Sequence, residues 1–335
     1  MINFQHVLRL IILACSFLGR TGSPLLFGSA GGNHGISYWG INVHFTRTGA
    51  TDKEISQVAQ AYTIARMDLS WASIELTIGK YDFSSHDELF GRLKAKGVHA
   101  YFILDYGNQK LYPNCMDAHR PNTTATKHCI NAFVKFAIEA MKHFSALDQS
   151  VVFELWNEPN TVFWEDLKFG NVTEYAKLAV AIDAARIASG IRSNTTLVGP
   201  AVAGFGTNVT WQFLEACGQL GCFRAFDAVS MHAYRNSEEG PESILPDLKK
   251  LKGILHNDSV KLISGEWGWS TCNPSQPPPN SSFHFNCGVS NSVADELGAA
   301  RNLARQWLTN TYAGVVVSIY YDFIDDCPNP FDREC

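Results

Sequence analysis

The sequence contains no long run of Lys or Arg and no apolar stretch of about eighteen residues. Charged residues make up only 18% of its 335 residues, and the formal net charge is −5. Without a basic patch the chain has little that would neutralise a phosphate backbone, so we expect no nucleic-acid partner. The lack of a long apolar stretch predicts that no helix spans a membrane. No Cys-x-x-Cys pair is present, which argues against a structural zinc site.

The rest of the composition is that of a globular protein. Hydrophobic residues make up 46% of the chain, and Gly and Pro are spread at ordinary frequency. There is no collagen-like repeat, no long disordered tract and no linker that divides the chain. A chain of this length can bury a large core as one domain or as two. We expect a single domain that is a monomer.

The first thirty residues resemble a secretory signal peptide. Arg9 precedes an apolar run from Leu10 to Leu18, and small residues follow as far as Ala30. A signal anchor is the alternative, but this run is too short to cross a bilayer about 30 Å thick. We predict a signal peptide at residues 1–30, a catalytic domain at 31–335, and secretion to the exterior or to the lumen of the secretory or lysosomal route.

Two further patterns agree with an oxidising compartment. Six Asn-x-Ser/Thr sequons are candidate glycosylation sites, namely Asn122, Asn171, Asn194, Asn208, Asn257 and Asn280. If the signal peptide removes Cys15, an even number of cysteines remains, and these fall into couples that are close in sequence. Sequence alone does not decide their connectivity, so the local disulfides are a hypothesis based on short loops: Cys115 with Cys129, Cys217 with Cys222, Cys272 with Cys287, and Cys327 with Cys335.

Apolar or β-branched runs alternate with segments of helical period along the chain. The predicted strands are 39–44, 62–68, 100–105, 151–155, 196–200, 228–232, 261–264 and 315–321. The predicted helices are 52–61, 86–96, 127–144, 172–189, 210–217, 242–255 and 292–309. Eight strands favour a closed (β/α)8 TIM barrel over a doubly wound sheet. The eighth helix is missing: either it is truncated, or Cys335 bonded to Cys327 closes the barrel in its place.

Two glutamates lie where predicted strands become loops. Glu158 follows the fourth strand and Glu266 follows the seventh. In a closed barrel the carboxyl ends of the strands meet at one mouth, where active sites of this fold lie. Cleavage of a glycosidic bond needs such a pair, one carboxyl to protonate the leaving oxygen and the other to attack or stabilise the anomeric centre. The pair therefore favours a glycosidase.

At this point the sequence resembles the retaining glycoside hydrolases of clan A, which include cellulases, β-mannanases, β-xylosidases and α-iduronidase. Five motifs in order carry the resemblance: Arg66 on the second strand, a W-x-x-I-E…G-x-Y-x-F run from Trp71 to Phe83, Asn157-Glu158-Pro159, His232-Ala233-Tyr234, and Glu266. The resemblance covers essentially the whole mature chain. Its implied reaction is hydrolysis of an O-glycosidic bond through a covalent glycosyl-enzyme, without a cofactor or a metal.

The resemblance also implies roles for the site residues. Glu266 is the nucleophile, kept ionised by Arg66 and Tyr234, and Glu158 is the acid and then the base. Asn157 is expected to donate to the sugar 2-hydroxyl, and His232 to orient Glu158 or a sugar hydroxyl. The two carboxyl groups should lie about 5 to 5.5 Å apart, as in retaining enzymes.

The remaining candidate residues would bind the sugar. His44, Asp68 and Asp105 end the first three strands and are candidates for hydroxyl recognition, and Trp267 is a candidate for stacking on a sugar ring. Many members of the clan have a Trp on strand eight, for which Tyr320 is the expected substitute here. No concentration of Lys or Arg lies near the mouth, which favours a neutral β-linked oligosaccharide or polysaccharide as the substrate.

Two alternatives remain open at this stage. A secreted barrel lectin or pseudoenzyme would bind glycans without cutting them, but it predicts the loss of a catalytic carboxylate, and both are present. A metal-dependent barrel hydrolase could use His44, Asp68, Asp105 and His232, but it leaves the Asn-Glu-Pro string unexplained.

Overall fold

The computed structural model describes residues 38–113, 115–116, 127–164, 171–256, 260–271, 292–293 and 296–324. Within them, eight parallel strands form a closed barrel, in which β1 pairs with both β2 and β8. The barrel strands are β1 Tyr38–Asn42, β2 Ile64–Ser70, β3 His99–Asp105, β4 Val152–Leu155, β5 Thr196–Val202, β6 Ala228–His232, β7 Leu262–Trp267 and β8 Val315–Tyr320. Each predicted strand overlaps an observed one, so the predicted TIM barrel is confirmed.

Helices alternate with the strands. They are α1 Phe45–Thr48, α2 Asp52–Ala61, α3 Trp71–Ile74, α4 Ser84–Ala95, α5 Lys127–Leu147, α6 Val172–Ala188, α7 Asn208–Gln219, α8 Leu245–Leu255 and α9 Glu296–Tyr312. All seven predicted helices overlap observed ones, whereas the one-turn helices α1 and α3 are too short to leave a periodic signal.

Shorter elements complete the described fold. Three 3₁₀ turns lie at Arg192–Asn194, Cys222–Ala225 and Gly240–Glu242, and a small parallel pair joins Ser270–Thr271 to Ser292–Val293. In the described part of the chain no helix follows β8. The segment 325–335, where a bond between Cys327 and Cys335 is predicted to close the barrel, lies outside that part.

Side-chain alternation along β2 explains how the barrel positions polar groups. Ala65 and Met67 pack in the core between barrel and helices, whereas Ile64 joins an apolar layer inside the barrel. The other buried members of this inner layer are Tyr101, Val152, Val198, Ala228, Ile263, Val317 and Ile319. Arg66 lies two residues beyond Ile64, and therefore on the same inner face. A layer of polar side chains consequently stands on an apolar floor, nearer the mouth.

Two of the four predicted disulfides lie among the described residues, and both are formed: Cys115–Cys129 and Cys217–Cys222. The other two predicted pairs, Cys272 with Cys287 and Cys327 with Cys335, lie outside those residues.

The remaining predictions about processing stay predictions. The signal peptide at 1–30 lies outside the described residues, as do the sequons at Asn122, Asn257 and Asn280. Asn194 and Asn208 are exposed, and Asn171 is half-buried. None of the helices in the described ranges is both long enough and apolar enough to cross a membrane.

Candidate active site

Two glutamates meet at the carboxyl end of the barrel. Glu158 lies in the loop after β4, and Glu266 is the penultimate residue of β7. One oxygen from each carboxylate and one nitrogen of His232 all lie within 4.8 Å of one another. The Glu158 side chain is 16% exposed and the Glu266 side chain 9%, so a ligand at the mouth can reach both.

Arg66 on β2 contacts Glu266 and the loop after β4. Its Nη1 donates to Glu266 Oε1 at 2.6 Å and to Asn42 Oδ1 at 2.8 Å, and its Nη2 donates to Asn157 Oδ1 at 2.9 Å. The Arg66 side chain is only 1% exposed, so water screens its charge very little. Because the Asn157 oxygen faces Arg66, Asn157 presents its NH₂ group as a donor.

Sequence reasoning missed Glu154, which lies fully buried inside the barrel. Its Oε1 accepts hydrogen bonds from Arg66 Nε and Nη2 at 2.9 and 2.6 Å. Its Oε2 accepts from Tyr101 Oη and Ser230 Oγ, both at 2.6 Å. Burial by itself would raise the pKa of Glu154, but Arg66 and then the other neighbours lower that pKa below its ordinary 4.5, so Glu154 is ionised.

A signal for Glu154 was present in the sequence. Val152 lies in the inner apolar layer, so Glu154, two residues on, shares the inward-facing side of β4. A carboxylate inside a barrel requires a buried cation or several donors. Arg66 is the matching cation. Like Glu154, it lies two residues beyond an apolar residue of the inner layer, so the alternation along β2 and β4 points both side chains into the barrel.

His232 on β6 lies between the two carboxylates. Its Nδ1 is 2.7 Å from Glu158 Oε1 and 3.3 Å from Glu266 Oε2, whereas its Nε2 is 3.4 Å from Arg66 Nη2. A guanidinium has no acceptor, so Nε2 accepts from Arg66, and Nδ1 carries the proton that His232 donates to Glu158. Burial would lower the pKa of His232, but Glu266 and Glu158 outweigh it and raise the pKa above 6.5.

Tyr234 completes the contacts of Glu266. The Tyr234 hydroxyl donates to Glu266 Oε2 at 3.0 Å, while Oε1 accepts from Arg66. Burial, followed by the charge of Glu266, raises the pKa of Tyr234 well above its usual value, so the hydroxyl keeps its proton and remains a donor. Both oxygens of Glu266 therefore accept hydrogen bonds, and these two donors fix the position of the carboxylate.

The backbone after β4 is held in an unusual conformation. Trp156 and Glu158 both have positive φ, 64° and 47°, in the left-handed region that costs a non-glycine residue about 1–2 kcal/mol. Local hydrogen bonds hold it: the Trp156 indole donates to Phe163 O at 2.7 Å, and the Thr161 N–H and hydroxyl donate to Glu158 O at 3.0 and 2.8 Å. The loop thus presents Glu158 at one defined position.

The structure does not bring Trp267 and Tyr320 to this site. Trp267 is 1% exposed, and its indole donates to Ser318 Oγ at 3.0 Å. Tyr320 packs edge-on against Trp267 at 5.3 Å, and its hydroxyl donates to Trp269 O. Both belong to an aromatic cluster with Trp39 and Trp269 instead of forming a sugar platform.

A β-bulge is the physical reason for this difference. The pairing of β7 shifts register against both β6 and β8 near its end. A Cβ on Gly265 would meet Ser230 and Glu154 inside the barrel, and the next residue, Glu266, also points inside, toward Arg66. Two consecutive inward positions reverse the alternation and direct Trp267 outward.

Three further candidates lie at the rim of the barrel. His44 Nε2 is 3.7 Å from Asp322 Oδ2, and the His44 ring meets Tyr321 at 6.1 Å. Tyr321 directly follows β8, and it is therefore the aromatic residue at this end of the strand that lies on the side of His44. Asp68 is half-buried and Asp105 is completely buried, and the two are neighbours at the ends of β2 and β3.

The W-x-x-I-E…G run fixes the loop after β2. Glu75 is 1% exposed; its Oε2 accepts from the Trp71 indole at 2.5 Å, and its Oε1 accepts from Gly79 N at 2.6 Å and from the Tyr112 hydroxyl at 2.8 Å. Tyr112 also stacks on Trp71 at 4.8 Å. This motif therefore has a structural role in the wall of the mouth.

Glu158, His232 and Glu266 are also the one group of side chains in the described ranges that could hold a metal ion. His232 Nδ1 already donates its proton to Glu158 Oε1, and a cation bound by this nitrogen would have to displace that proton. A chelator in the activity assay tests the predicted independence from metal.

The comparisons with known proteins agree with this geometry. The family described as cellulase (glycosyl hydrolase family 5) matches residues 29–282. No curated protein matches the chain.

Solved structures share the barrel. A family 39 glycoside hydrolase from the gut symbiont Bacteroides cellulosilyticus WH2 has a TM-score of 0.63 at 21% identity, over 87% of this chain and 57% of that one, so this chain spans little more than half of that protein. Fungal β-1,4-galactanases match with a TM-score of 0.61 at 16% identity, over 85% of this chain and 89% of theirs. Xylanase 10B from Thermotoga petrophila RKU-1 matches with a TM-score of 0.56 at 10% identity, over 85% of this chain and 82% of that one. These identities show a common fold, and with the family match they confirm the resemblance to clan A.

Proposed function

The chain belongs to the cellulase family, glycosyl hydrolase family 5, and from this premise we propose that it is a secreted, retaining glycosidase acting on a neutral β-linked glycan. The observation that carries the proposal is the pair of carboxylates whose oxygens lie within 4.8 Å of each other. Retaining enzymes place the two carboxyl groups about 5–5.5 Å apart, whereas inverting enzymes leave about 6.5–9.5 Å for a water molecule. The short separation favours double displacement.

The environments of the two carboxylates support different roles. Glu266 accepts hydrogen bonds on both oxygens, from Arg66 and from Tyr234, and these contacts hold it in place as the nucleophile. Glu158 lies nearer solvent, with His232 Nδ1 at 2.7 Å as its side-chain partner. It is the group placed to hold a proton and to exchange it with a leaving group or with water.

The reaction has two steps. In the first, Glu266 attacks the anomeric carbon, the glycosidic C–O bond breaks, and Glu158 gives its proton to the departing oxygen. In the second, Glu158 takes a proton from water, the water oxygen attacks the anomeric carbon, and the bond to Glu266 breaks. The NH₂ group of Asn157 is positioned to donate to the sugar 2-hydroxyl, a contact that strengthens in the transition state.

The charges at the mouth favour a neutral substrate. Arg66 is the cation closest to Glu266, and two carboxylates, Glu154 and Glu266, neutralise it. Asp68 and Glu158 add acidic groups at the rim. A sugar carboxylate would meet like charges here, whereas sugar hydroxyls would find acceptors.

Variants of the two carboxylates test the mechanism. We expect Glu266→Ala to abolish turnover of every substrate, and Glu158→Ala to retain turnover of aryl glycosides whose leaving group needs no proton. Glu88→Ala, an exposed carboxylate on α4, is the control and should match the wild type. Proton NMR of the first-formed product should show the anomeric configuration of the substrate. An inverted product, or equal losses in Glu158→Ala on both substrate types, would overturn the assignment.

The same experiment decides between hydrolysis and binding alone. The lectin alternative predicts that the wild type binds β-linked oligosaccharides and releases no product. Product analysis with β-glucan, xylan, mannan and galactan, with and without a chelator, distinguishes the alternatives and identifies the sugar.

Secretion is part of the proposal and is supported by the two local disulfides and by the sequons. Expression of the full chain in a eukaryotic host should deliver it to the medium without residues 1–30 and with glycans that an N-glycosidase removes. Retention in the cytosol would contradict secretion without touching the catalytic assignment.

A further inference from the structure

Resting on the proposed function, we propose that Asp68 and Asp105 form a hydroxyl-binding pair in the wall of the cleft, in which Asp68 accepts hydrogen bonds from a sugar and the buried Asp105 positions it as a carboxylic acid. The pair does not include either catalytic glutamate, and its expected effect is on the affinity for the glycan.

The strands place this pair beside the catalytic residues. Asp68 lies two residues beyond Arg66 on the same inner face of β2, which puts it about 7 Å closer to the mouth. Asp105 is the last residue of β3, two residues beyond Ile103, the register partner of Asp68, so both carboxyls stand on the same inner face of the two paired strands. Arg66 contacts Glu266, so Asp68 stands on the same strand face as the guanidinium that holds Glu266, on its mouth side.

Asp105 lacks the donors that a buried carboxylate needs. It is 0% exposed, and neither of its oxygens accepts a hydrogen bond from any N–H or O–H group in the described ranges. Its hydrogen-bonding neighbour is the Asp68 carboxyl. Two carboxyls can share a hydrogen bond only if one carries a proton, and the proton belongs on the group that is cut off from water.

The charges around Asp105 agree with this assignment. Burial, and then the charge of Asp68, raises the pKa of Asp105 well above its ordinary 3.8; Arg66 opposes the shift, and Glu154 adds to it. The Arg66 charge is already shared by Glu154 and Glu266, so it does little to ionise a third carboxylate. Asp105 is therefore the carboxyl that holds the shared proton, and it donates its hydrogen bond to Asp68.

This arrangement defines the ligand by its chemistry. One Asp68 oxygen accepts the hydrogen bond from Asp105. Asp68 is half-buried, and its other oxygen remains an acceptor for a ligand. A fixed anionic acceptor binds sugar hydroxyls through charge-assisted hydrogen bonds and repels a sugar that carries a carboxylate. The pair thus selects a neutral sugar unit.

The test measures kcat, KM and the calorimetric Kd for neutral β-linked tetrasaccharides. The proteins compared are the wild type, Asp68→Asn, Asp105→Asn and the surface control Glu139→Gln. We expect Asp68→Asn to raise KM and the calorimetric Kd about tenfold or more, with kcat within about twofold. Asp105→Asn keeps an N–H donor for Asp68, so its KM at neutral pH should stay within about twofold of the wild type.

The pH profile separates positioning from simple structural support. In the wild type, KM should rise at alkaline pH as Asp105 loses its proton and repels Asp68, and Asp105→Asn should abolish this rise. A glucuronic-acid-containing tetrasaccharide should bind more weakly than the neutral one, and Asp68→Asn should reduce the difference. Melting temperatures near the wild-type value show that each variant is folded.

The outcomes distinguish the two proposals. If the wild type hydrolyses glycans but Asp68→Asn leaves KM and Kd unchanged, the pair is refuted and the glycosidase assignment stands. If Asp105→Asn raises KM as much as Asp68→Asn, or keeps the alkaline rise, the shared-proton arrangement is wrong. If the wild type binds neutral tetrasaccharides through Asp68 without hydrolysing them, the proposed function fails and the pair stands. If it neither binds nor cuts them, both fail.

Discussion

Replacing Glu154 with Gln removes one buried charge and keeps the size of the side chain. In the native barrel Glu154 accepts four hydrogen bonds, two from the Arg66 guanidinium and one each from Tyr101 and Ser230. A glutamine has one acceptor oxygen, so its NH₂ group must face a donor on one side. Arg66 would keep Glu266 as its remaining counter-charge.

The size of the effect follows from burial. Removing one partner of a buried ion pair costs about 3–5 kcal/mol. A domain of about 300 residues has an unfolding entropy of about 0.6 kcal/mol/K, so the melting temperature should fall by about 5–8 °C. Tyr101→Phe and Ser230→Ala remove one neutral donor each and leave the charge, so each should cost about 1–2 kcal/mol.

The difference in melting temperature between the wild type and Glu154→Gln should depend on pH. Because the folded-state pKa of Glu154 is lowered from 4.5, its charge stabilises the fold above about pH 4.5, and this stabilisation is lost as the pH falls through the folded-state pKa. The gap in melting temperature between wild type and Glu154→Gln should therefore be full at neutral pH and shrink in acid. Calorimetric melting across this range is the assay.

Two results would refute the reasoning about Glu154. The first is a fall in melting temperature smaller than that of Ser230→Ala, and the second is a gap that stays constant with pH. Activity provides an independent measure: Arg66 loses the charge of its buried partner and is held less firmly, so kcat should fall in Glu154→Gln while KM changes little.

Three further outcomes are expected. Gly265→Ala should lower both the melting temperature and kcat, because its Cβ would lie 2.6 Å from Ser230 Oγ and 3.3 Å from Glu154 Oε2; an unchanged enzyme would contradict the close packing under β7. Glu75→Gln should lower the melting temperature by an amount corresponding to about 2–3 kcal/mol while leaving the pH profile of kcat unchanged, since Glu75 holds the loop after β2 and does not face the catalytic pair. Trp267→Phe should destabilise the barrel with no change in KM; a higher KM would restore the indole as a sugar platform.

The features of the fold that could be predicted depend on residues that are close in sequence or on the topology of a closed barrel. Strand and helix periods depend on residues within a few positions of one another, so all eight strands and the seven long helices were predicted. Glu158 and Glu266 were paired because the carboxyl ends of parallel strands meet at one mouth in any closed barrel. The two described disulfides close loops of 14 and 5 residues, which local spacing can suggest.

The side-chain positions that could not be predicted depend on how the strands pair with one another. Trp267 was a candidate because it adjoins Glu266 in sequence, and Tyr320 because it stands where the clan has a Trp; the register shift in β7 directs the Trp267 indole away from Glu266. Asp68 and Asp105 were noticed only as separate strand ends, and their pairing depends on the register of β2 against β3. Glu154 was overlooked although its position in the alternating pattern of β4 points inward, because its partners come from three other strands.

Local sequence, then, was enough to determine the barrel, the mouth and the two carboxylates that face each other there, because near-neighbour periodicity and a closed topology leave little freedom. The charge network was decided only by the tertiary structure. Arg66 meets Glu154 across 88 residues of chain and Glu266 across 200, and a contact at such separation depends on register, bulges and burial together. Burial decides which of these carboxyls keeps a proton, and no stretch of sequence encodes burial on its own.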